Sequence, residues 1–190
     1  MNKKEKLLIN ILEEITRRYD KLFEENKKLL EEVSFKANHD VLTKLYNREF
    51  FEKQLQVFID KKIPFCLAFM DLDNFKNAND TFGHKVGDSI IINVANILKE
   101  NIKGKDLIAR FGGDEFIIAL IECNKENAIK ILEKISNKIK KELNEFKITT
   151  SIGISCFPHE GEDFETLLKI SDIKMYKAKE KRDFIIFWVF

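Results

Sequence analysis

No stretch of this chain approaches the roughly 18 consecutive apolar residues of a membrane-spanning helix. Its Lys-rich start also lacks the pattern of a signal peptide. A cytoplasmic protein without a membrane span is therefore expected. Charge of one sign is missing too. The 33 Lys and Arg residues stand against 32 Asp and Glu, a formal net charge of +1, which excludes a strongly basic nucleic-acid binder as the default. Cysteine is sparse and odd in number. Cys66, Cys123 and Cys156 are far apart, each in apolar sequence, and no Cys-x-x-Cys spacing suggests a metal site. Three free thiols, buried as small hydrophobes in a reducing compartment, are expected. Glycine and proline are absent from the first 36 residues, so nothing there interrupts a helix.

What is present is enough for a core. Hydrophobic residues make up 44% of 190 and charged residues 34%, which suits one soluble domain with an appendage. The appendage is the glycine-free start. Leu8, Ile15, Leu22 and Leu29 recur every seven residues, and Leu12, Tyr19, Asn26 and Val33 follow each by four. The first set occupies d and the second a of a heptad. Asn26 at a favours a parallel two-stranded register, so a homodimer through residues 1–37 is expected. The alternative is an amphipathic helix packed on its own domain. The boundary falls near Asn38-His39-Asp40, leaving residues 38–190 as the second domain.

That domain alternates strand and helix. Glu49 to Lys61 has helical periodicity, and Phe65 to Asp71 is a near-continuous apolar run typical of a strand buried on both faces. Val86 to Asn101 is an amphipathic helix. A hairpin over Asp106 to Glu122 and a helix over Lys125 to Leu143 follow. Ile148 to Cys156 is β-branched and strand-like, Phe164 to Lys181 is helical, and Phe184 to Phe190 is a short apolar strand. The order β-α-β-β-α-β predicts an α+β, ferredoxin-like sheet with helices packed on one face.

The most informative stretch is Arg110-Phe-Gly-Gly-Asp-Glu-Phe116. Gly112-Gly113 between apolar runs signals a two-residue hairpin turn with positive φ at both glycines. Asp114 and Glu115 then present two carboxylates at its mouth. Asp71 and Asp73 lie two apart at the end of the first long strand, hence on one face. If the strands are neighbours, these acids converge into an oxygen-rich site for a hard cation, and such cations usually serve phosphate chemistry. Asn77 to Asp88 is dense in Asn, Asp and Gly, which predicts an irregular loop or a helical turn capped at Asp80 or Thr81.

With Gly112-Gly-Asp-Glu-Phe116 intact, the chain resembles the GGDEF family of diguanylate cyclases, which condense two GTP into cyclic di-GMP. Asp40-Val-Leu-Thr-Lys-Leu-Tyr-Asn-Arg48 is similar to the family's opening segment; an Asp40–Arg48 pair across a turn would lock the helix to the domain, with plain helix capping by Asp40 or Asn47 as the alternative or companion role. The resemblance implies a palm-like fold and Mg²⁺, two ions per GTP, with Mn²⁺ as an alternative. Asp71, Asp114 and the Leu72 carbonyl would be ligands. It implies that Asp114 takes the proton of the ribose 3′-hydroxyl, that Glu115 supports the metal or the turn, and that Asp73 does one or the other. Asn79 and Asp88 would read guanine, with His84 supporting the nucleotide. Lys76 and Lys179 would neutralise phosphate charge, Arg182 joining them. GTP as substrate, a half-site per subunit and an upstream sensor or partner protein complete the picture.

Two departures stand out. Lys103-Gly-Lys-Asp106 replaces the family's inhibitory Arg-x-x-Asp, and lysine lacks the guanidinium fork that grips phosphate bidentately; weak or absent product inhibition is expected. After Lys179 the chain reads Glu-Lys-Arg182-Asp183, one residue short and without the family's glycine. The rival readings are a catalytically silent GGDEF domain that binds GTP or proteins, and a relative making a mixed cyclic dinucleotide, which would want a smaller residue at Asp88. An RNA-binding module shares the strand order but would need exposed aromatics on a basic surface.

Overall fold

A computed structural model describes residues 3–102 and 104–180 in full, and the backbone of residues 181, 185 and 186. It divides into two compact units, one ending at Asn38 and the other beginning at His39. The first is a single helix, α1 (Lys3–Asn38), in which no residue is buried.

In the second unit, β1 (Tyr46–Asn47) leads into α2 (Arg48–Asp60), whose first turn is capped by Asn47 accepting from the Phe50 amide. The central strand β2 (Phe65–Asp73) follows, then α3 (Phe75–Phe82) and α4 (His84–Asn101). The hairpin β3 (Leu107–Gly112) and β4 (Glu115–Ile121) comes next, then α5 (Lys125–Glu142), β5 (Thr149–Phe157), α6 (Phe164–Lys181) and β6 (Ile185–Ile186). The sheet runs β1-β3-β4-β2-β5-β6. Its inner four strands are antiparallel neighbours in the ferredoxin-like order, while β1 and β6 add parallel at the edges. Most of the strand expected over Phe184 to Phe190 lies outside the described residues.

Residues alternate along β2 between two cores. Cys66, Ala68, Met70 and Leu72 face α4 and α5, meeting Ile90, Val94, Leu132 and Ile135. Phe65, Leu67 and Phe69 face Phe51 and Leu55 of α2 and Leu167 and Met175 of α6. The helices thus cover both faces, not one, and this is why β2 reads as a continuous apolar run rather than an alternating one.

Three further expectations change. The Asn77–Asp88 stretch is helical rather than a loop, but Asp80 and Thr81 lie inside α3 instead of capping a turn; α3 runs to Phe82, and Gly83, with φ +86°, separates it from α4. At the hairpin, Gly112 ends β3 and the turn residues are Gly113 and Asp114; of the two glycines Gly113, with φ +40°, is the one in the left-handed region. Cys66 and Cys156 are buried but not free thiols. The β2–β5 register sets them opposite each other with Cα atoms 4.1 Å apart, and a disulfide joins them. Among the described residues, Cys123 is the free cysteine.

Candidate functional site

The carboxylates gather where β2 ends beside the hairpin turn. Asp71 is paired in register with Glu115, and Asp114 occupies the turn immediately before it. Asp71 lies on the α6 side of the sheet, following the Phe65, Leu67, Phe69 alternation, and is 8% exposed. From α6, Lys179 Nζ donates to Asp71 Oδ1 over 2.6 Å. Burial opposes the Lys179 charge, but the hydrogen bond and charge of Asp71, helped by Asp73 and Asp114, outweigh it and hold the ammonium's pKa above its ordinary value.

The acids crowd one another. Burial, then the charge of Asp71, raises the Asp114 pKa, against the opposing pull of Lys179 and Arg110. Glu115 is raised by burial and by Asp71, Asp114 and Asp172. Carboxylates brought together against their own repulsion form a donor set for a hard divalent cation, whose ligands are oxygens and whose charge relieves the repulsion. Asp71, Asp114 and Glu115 offer that oxygen chemistry, although among the described residues no three such side chains stand close enough together to form a metal cluster. Asp73 is engaged elsewhere. Its two oxygens accept from Thr149 Oγ1 at 2.9 Å and Ser151 Oγ at 2.8 Å, so it ties the end of β2 to β5.

The hairpin turn is clamped by a residue that sequence reasoning left unassigned. Arg110 donates through Nε and Nη2 to the Gly113 carbonyl at 3.0 and 2.7 Å. Its Nη1 reaches both oxygens of Asp40 at 3.4 Å. Asp40 also accepts from the backbone and hydroxyl of Thr43. Asp40 thus pairs with Arg110 and not with Arg48. Arg48 instead bonds Glu52 at 2.7 Å and lies over the Phe111 ring, 4.2 Å from its centroid. The signal for Arg110 was its place inside the heptapeptide, two residues before the first glycine.

Asn79 sits in α3 against α4. Its Oδ1 is a buried polar atom without a hydrogen-bond partner, and a Cβ at Gly87 would come within 1.9 Å of it. Gly87 is therefore the gap in α4 that admits the Asn79 amide, a role missed from sequence. His84 and Asp88 lie four apart on α4, hence on one face, and both are exposed. Lys76 is exposed in the first turn of α3. Leu72 is buried in the core, its backbone next to Asp71. Arg182 and Lys103 lie outside the described residues. Asp106 Oδ1 accepts from the Ile121 amide at 2.8 Å. A cavity of about 530 Å³ adjoins Glu115 on the α2 and α6 side, with Phe69, Phe111 and Phe164 in its wall.

Two supports fix α6. Gly153 of β5 lets the helix approach so closely that a Cβ there would lie 1.9 Å from the Ser171 carbonyl. Buried Lys174 donates to the Ile154 carbonyl at 2.8 Å and to Glu160 at 2.5 Å. Glu160 also accepts from the Cys156 amide and from Lys125.

A family profile described as "Diguanylate cyclase, GGDEF domain" matches residues 37–183. Similar curated proteins include the bifunctional diguanylate cyclase/cyclic di-GMP phosphodiesterase MucR of Pseudomonas aeruginosa, 39% identical over 76% of this chain and 22% of its own length. The diguanylate cyclase DosC of Escherichia coli is 34% identical over 82% of this chain and 36% of its own. The chain thus spans about a fifth to a third of these relatives. Among solved structures, the coiled coil and GGDEF domain of DgcB from Caulobacter crescentus, in complex with c-di-GMP, gives a TM-score of 0.80 at 26% identity, covering 93% of this chain and 99% of that one. The active GGEEF domain of a diguanylate cyclase from Vibrio cholerae gives 0.66 at 29%, covering 74% and 92%.

Proposed function

Since the chain belongs to the GGDEF diguanylate cyclase family, we propose that it condenses two GTP into cyclic di-GMP and two pyrophosphates. Residues 1–37 act as the signalling helix and residues 38–190 as the catalytic domain, with one half-site per subunit and two subunits facing each other. The observation that carries this reading is the gathering of Asp71, Asp114 and Glu115 at the hairpin mouth, with burial and mutual repulsion raising the proton affinity of the last two.

Asp71 and Asp114, with the Leu72 carbonyl, would hold Mg²⁺, or Mn²⁺ in its place. When bound, the metal supplies charge that lowers the 3′-hydroxyl pKa and steadies the triphosphate. Glu115 flanks these ligands. Asp114, in the turn beside Asp71, is the group placed to accept the 3′-hydroxyl proton. Lys179, already drawn to this cluster by Asp71, offers the counter-charge for a phosphate, and Lys76 a second; the role of Arg182 rests on the resemblance alone. Asp88 accepts from the N1–H and 2-amino group of guanine, beside Asn79, and His84 supports the nucleotide. Adenine lacks that donor pair, so ATP would leave the carboxylate unpaired and is rejected. Product inhibition is weak or absent. Lys103 replaces a guanidinium, and Asp106 is engaged with the Ile121 amide. An upstream sensor or partner protein would act through the helix. No described helix is long and apolar enough to cross a membrane, and a cytoplasmic setting is proposed.

Incubation with GTP and Mg²⁺, with products resolved by chromatography, tests the reading. Cyclic di-GMP should form, added cyclic di-GMP should not slow its formation, and Asp114→Asn should lower the rate roughly a thousandfold, within the range of a lost general base. GTP binding without product would instead mark a catalytically silent domain and overturn the proposal.

A further inference from the structure

A disulfide joins Cys66 to Cys156 across β2 and β5. A reducing cytoplasm keeps most thiols free, and the disulfides that do form there are usually transient, catalytic or redox-sensing. That contrast rests on the cytoplasmic setting proposed above, whereas the exchange chemistry rests on the three sulfurs themselves.

The bridge is shielded. Cys66 is 1% exposed and Cys156 7%, and both belong to the core that faces α4 and α5. A thiol from solution therefore has little access to either sulfur in the folded chain. Cys123 is placed to supply that access. It lies in the connection between β4 and α5, half-buried, and packs against the same core. Its carbonyl is 3.4 Å from Cys66 Sγ. Cys123 is thus both open to solvent and a neighbour of the bridge. Burial, then the charge of Asp106, pushes its thiol pKa up, so its thiolate is scarce near neutrality and exchange through it is slow.

We infer that the three cysteines form a thiol–disulfide exchange site. Cys123 is the point at which a low-molecular-weight disulfide or thiol oxidises or reduces the β2–β5 bridge. In the oxidising direction the Cys123 thiolate attacks a small disulfide RSSR, forms a Cys123–SR bond and releases one RS⁻. The Cys66 thiolate then attacks the Cys123 sulfur and expels the second RS⁻. Finally the Cys156 thiolate attacks Cys66 and expels the Cys123 thiolate. Two protein thiols have lost two electrons and two protons, and one RSSR has become two RSH. Reduction runs the same steps backward. The state of the bridge reaches α6 through Glu160. The Cys156 amide donates to Glu160 at 3.0 Å, and the Glu160 amide donates to the Cys156 carbonyl at 2.9 Å. Glu160 also accepts from Lys174 of α6.

Equilibration of the full chain with mixtures of reduced and oxidised glutathione, followed by denaturation, alkylation and intact mass measurement, tests the site. The alkylated count should rise from one thiol to three as the mixture becomes reducing. Cys123→Ser should keep both end states but slow their interconversion roughly tenfold or more, since only buried sulfurs remain. In Cys66→Ala the sequence of steps stops after the first, so a glutathione adduct should collect on Cys123, located by peptide mass mapping. Thermal denaturation reports that each variant is folded. The oxidised parent should melt about 5–15 °C above the reduced one, because the bridge ties residues 90 apart in sequence. A bridge that stays closed at every glutathione ratio is structural and overturns the proposal, as do three free thiols in every mixture. Interconversion of Cys123→Ser at the parent rate, or an adduct on Cys156 in place of Cys123, overturns it equally.

Discussion

Replacing Gly87 by alanine forces a choice on Asn79, because the new Cβ would lie 1.9 Å from its Oδ1. The amide is the far end of a short side chain, so it can swing away and α4 survives. What is lost is the amide's place against Gly87. If Asn79 reads guanine, Gly87→Ala should raise KM for GTP about tenfold or more, in line with one lost hydrogen bond to a polar ligand, with a much smaller change in thermal stability. Steady-state kinetics beside thermal denaturation check this; a melting temperature that collapses while KM holds would contradict it. At this scale the sequence reveals residue types better than partners. Asp71, Asp114 and Glu115 were visible as acids at a strand end and a turn. The partner of Asp40 was not, because Arg110 lies 70 residues away and only the fold makes them neighbours. Arg48, nearer in sequence, leaves with α2 to pair with Glu52.

Among the elements, α6 carries Asp172 and Lys179 to the acids and depends on its anchor at Glu160. Burial tends to raise the Glu160 pKa, but the hydrogen bond and charge of Lys174, followed by Lys125, outweigh it and hold the carboxylate below its ordinary 4.5. A depressed carboxylate pKa stabilises the fold above the unfolded value, and that contribution is lost as pH falls through the lower folded value. Glu160→Gln should therefore be less stable than the parent near neutrality, by on the order of 3 kcal/mol for a buried lysine left without its counter-ion. The gap should close below pH 4.5 and vanish once Glu160 in the parent is protonated. Urea denaturation from neutral to acid pH measures it; a constant gap would show that charge is not the cause. Elements with one dominant signal were legible: β2 from its apolar run, and α2, α5 and α6 from helical periodicity. The helix α3 was hidden by Asn and Asp, which favour turns as side chains yet here lie inside a helix closed by Gly83. The Cys66–Cys156 pairing needs the strand register, which composition does not carry.

At the scale of the whole molecule, the hairpin mouth holds only half of the chemistry proposed for it. In the proposed reaction, one GTP held at Asp71, Asp114 and Asp88 would present a 3′-hydroxyl and an α-phosphate that cannot reach each other, so turnover would require a second domain facing the first. Two free domains meet at a rate set by their concentration. Two domains joined through α1 meet at an effective concentration set by the connection, in the range of about millimolar for short flexible links. The acids, the residues proposed to read guanine and both cores lie in the unit beginning at His39, so removing residues 1–36 should leave each proposed half-site chemically complete. Specific activity of the full chain should stay nearly constant on dilution. That of the truncated chain should fall roughly in proportion to protein concentration, as a weakly associating pair dissociates. At high concentration the two should converge. Activity assays with GTP across a dilution series of both proteins decide the matter. Identical dilution profiles would mean that the catalytic domains find each other without the helix.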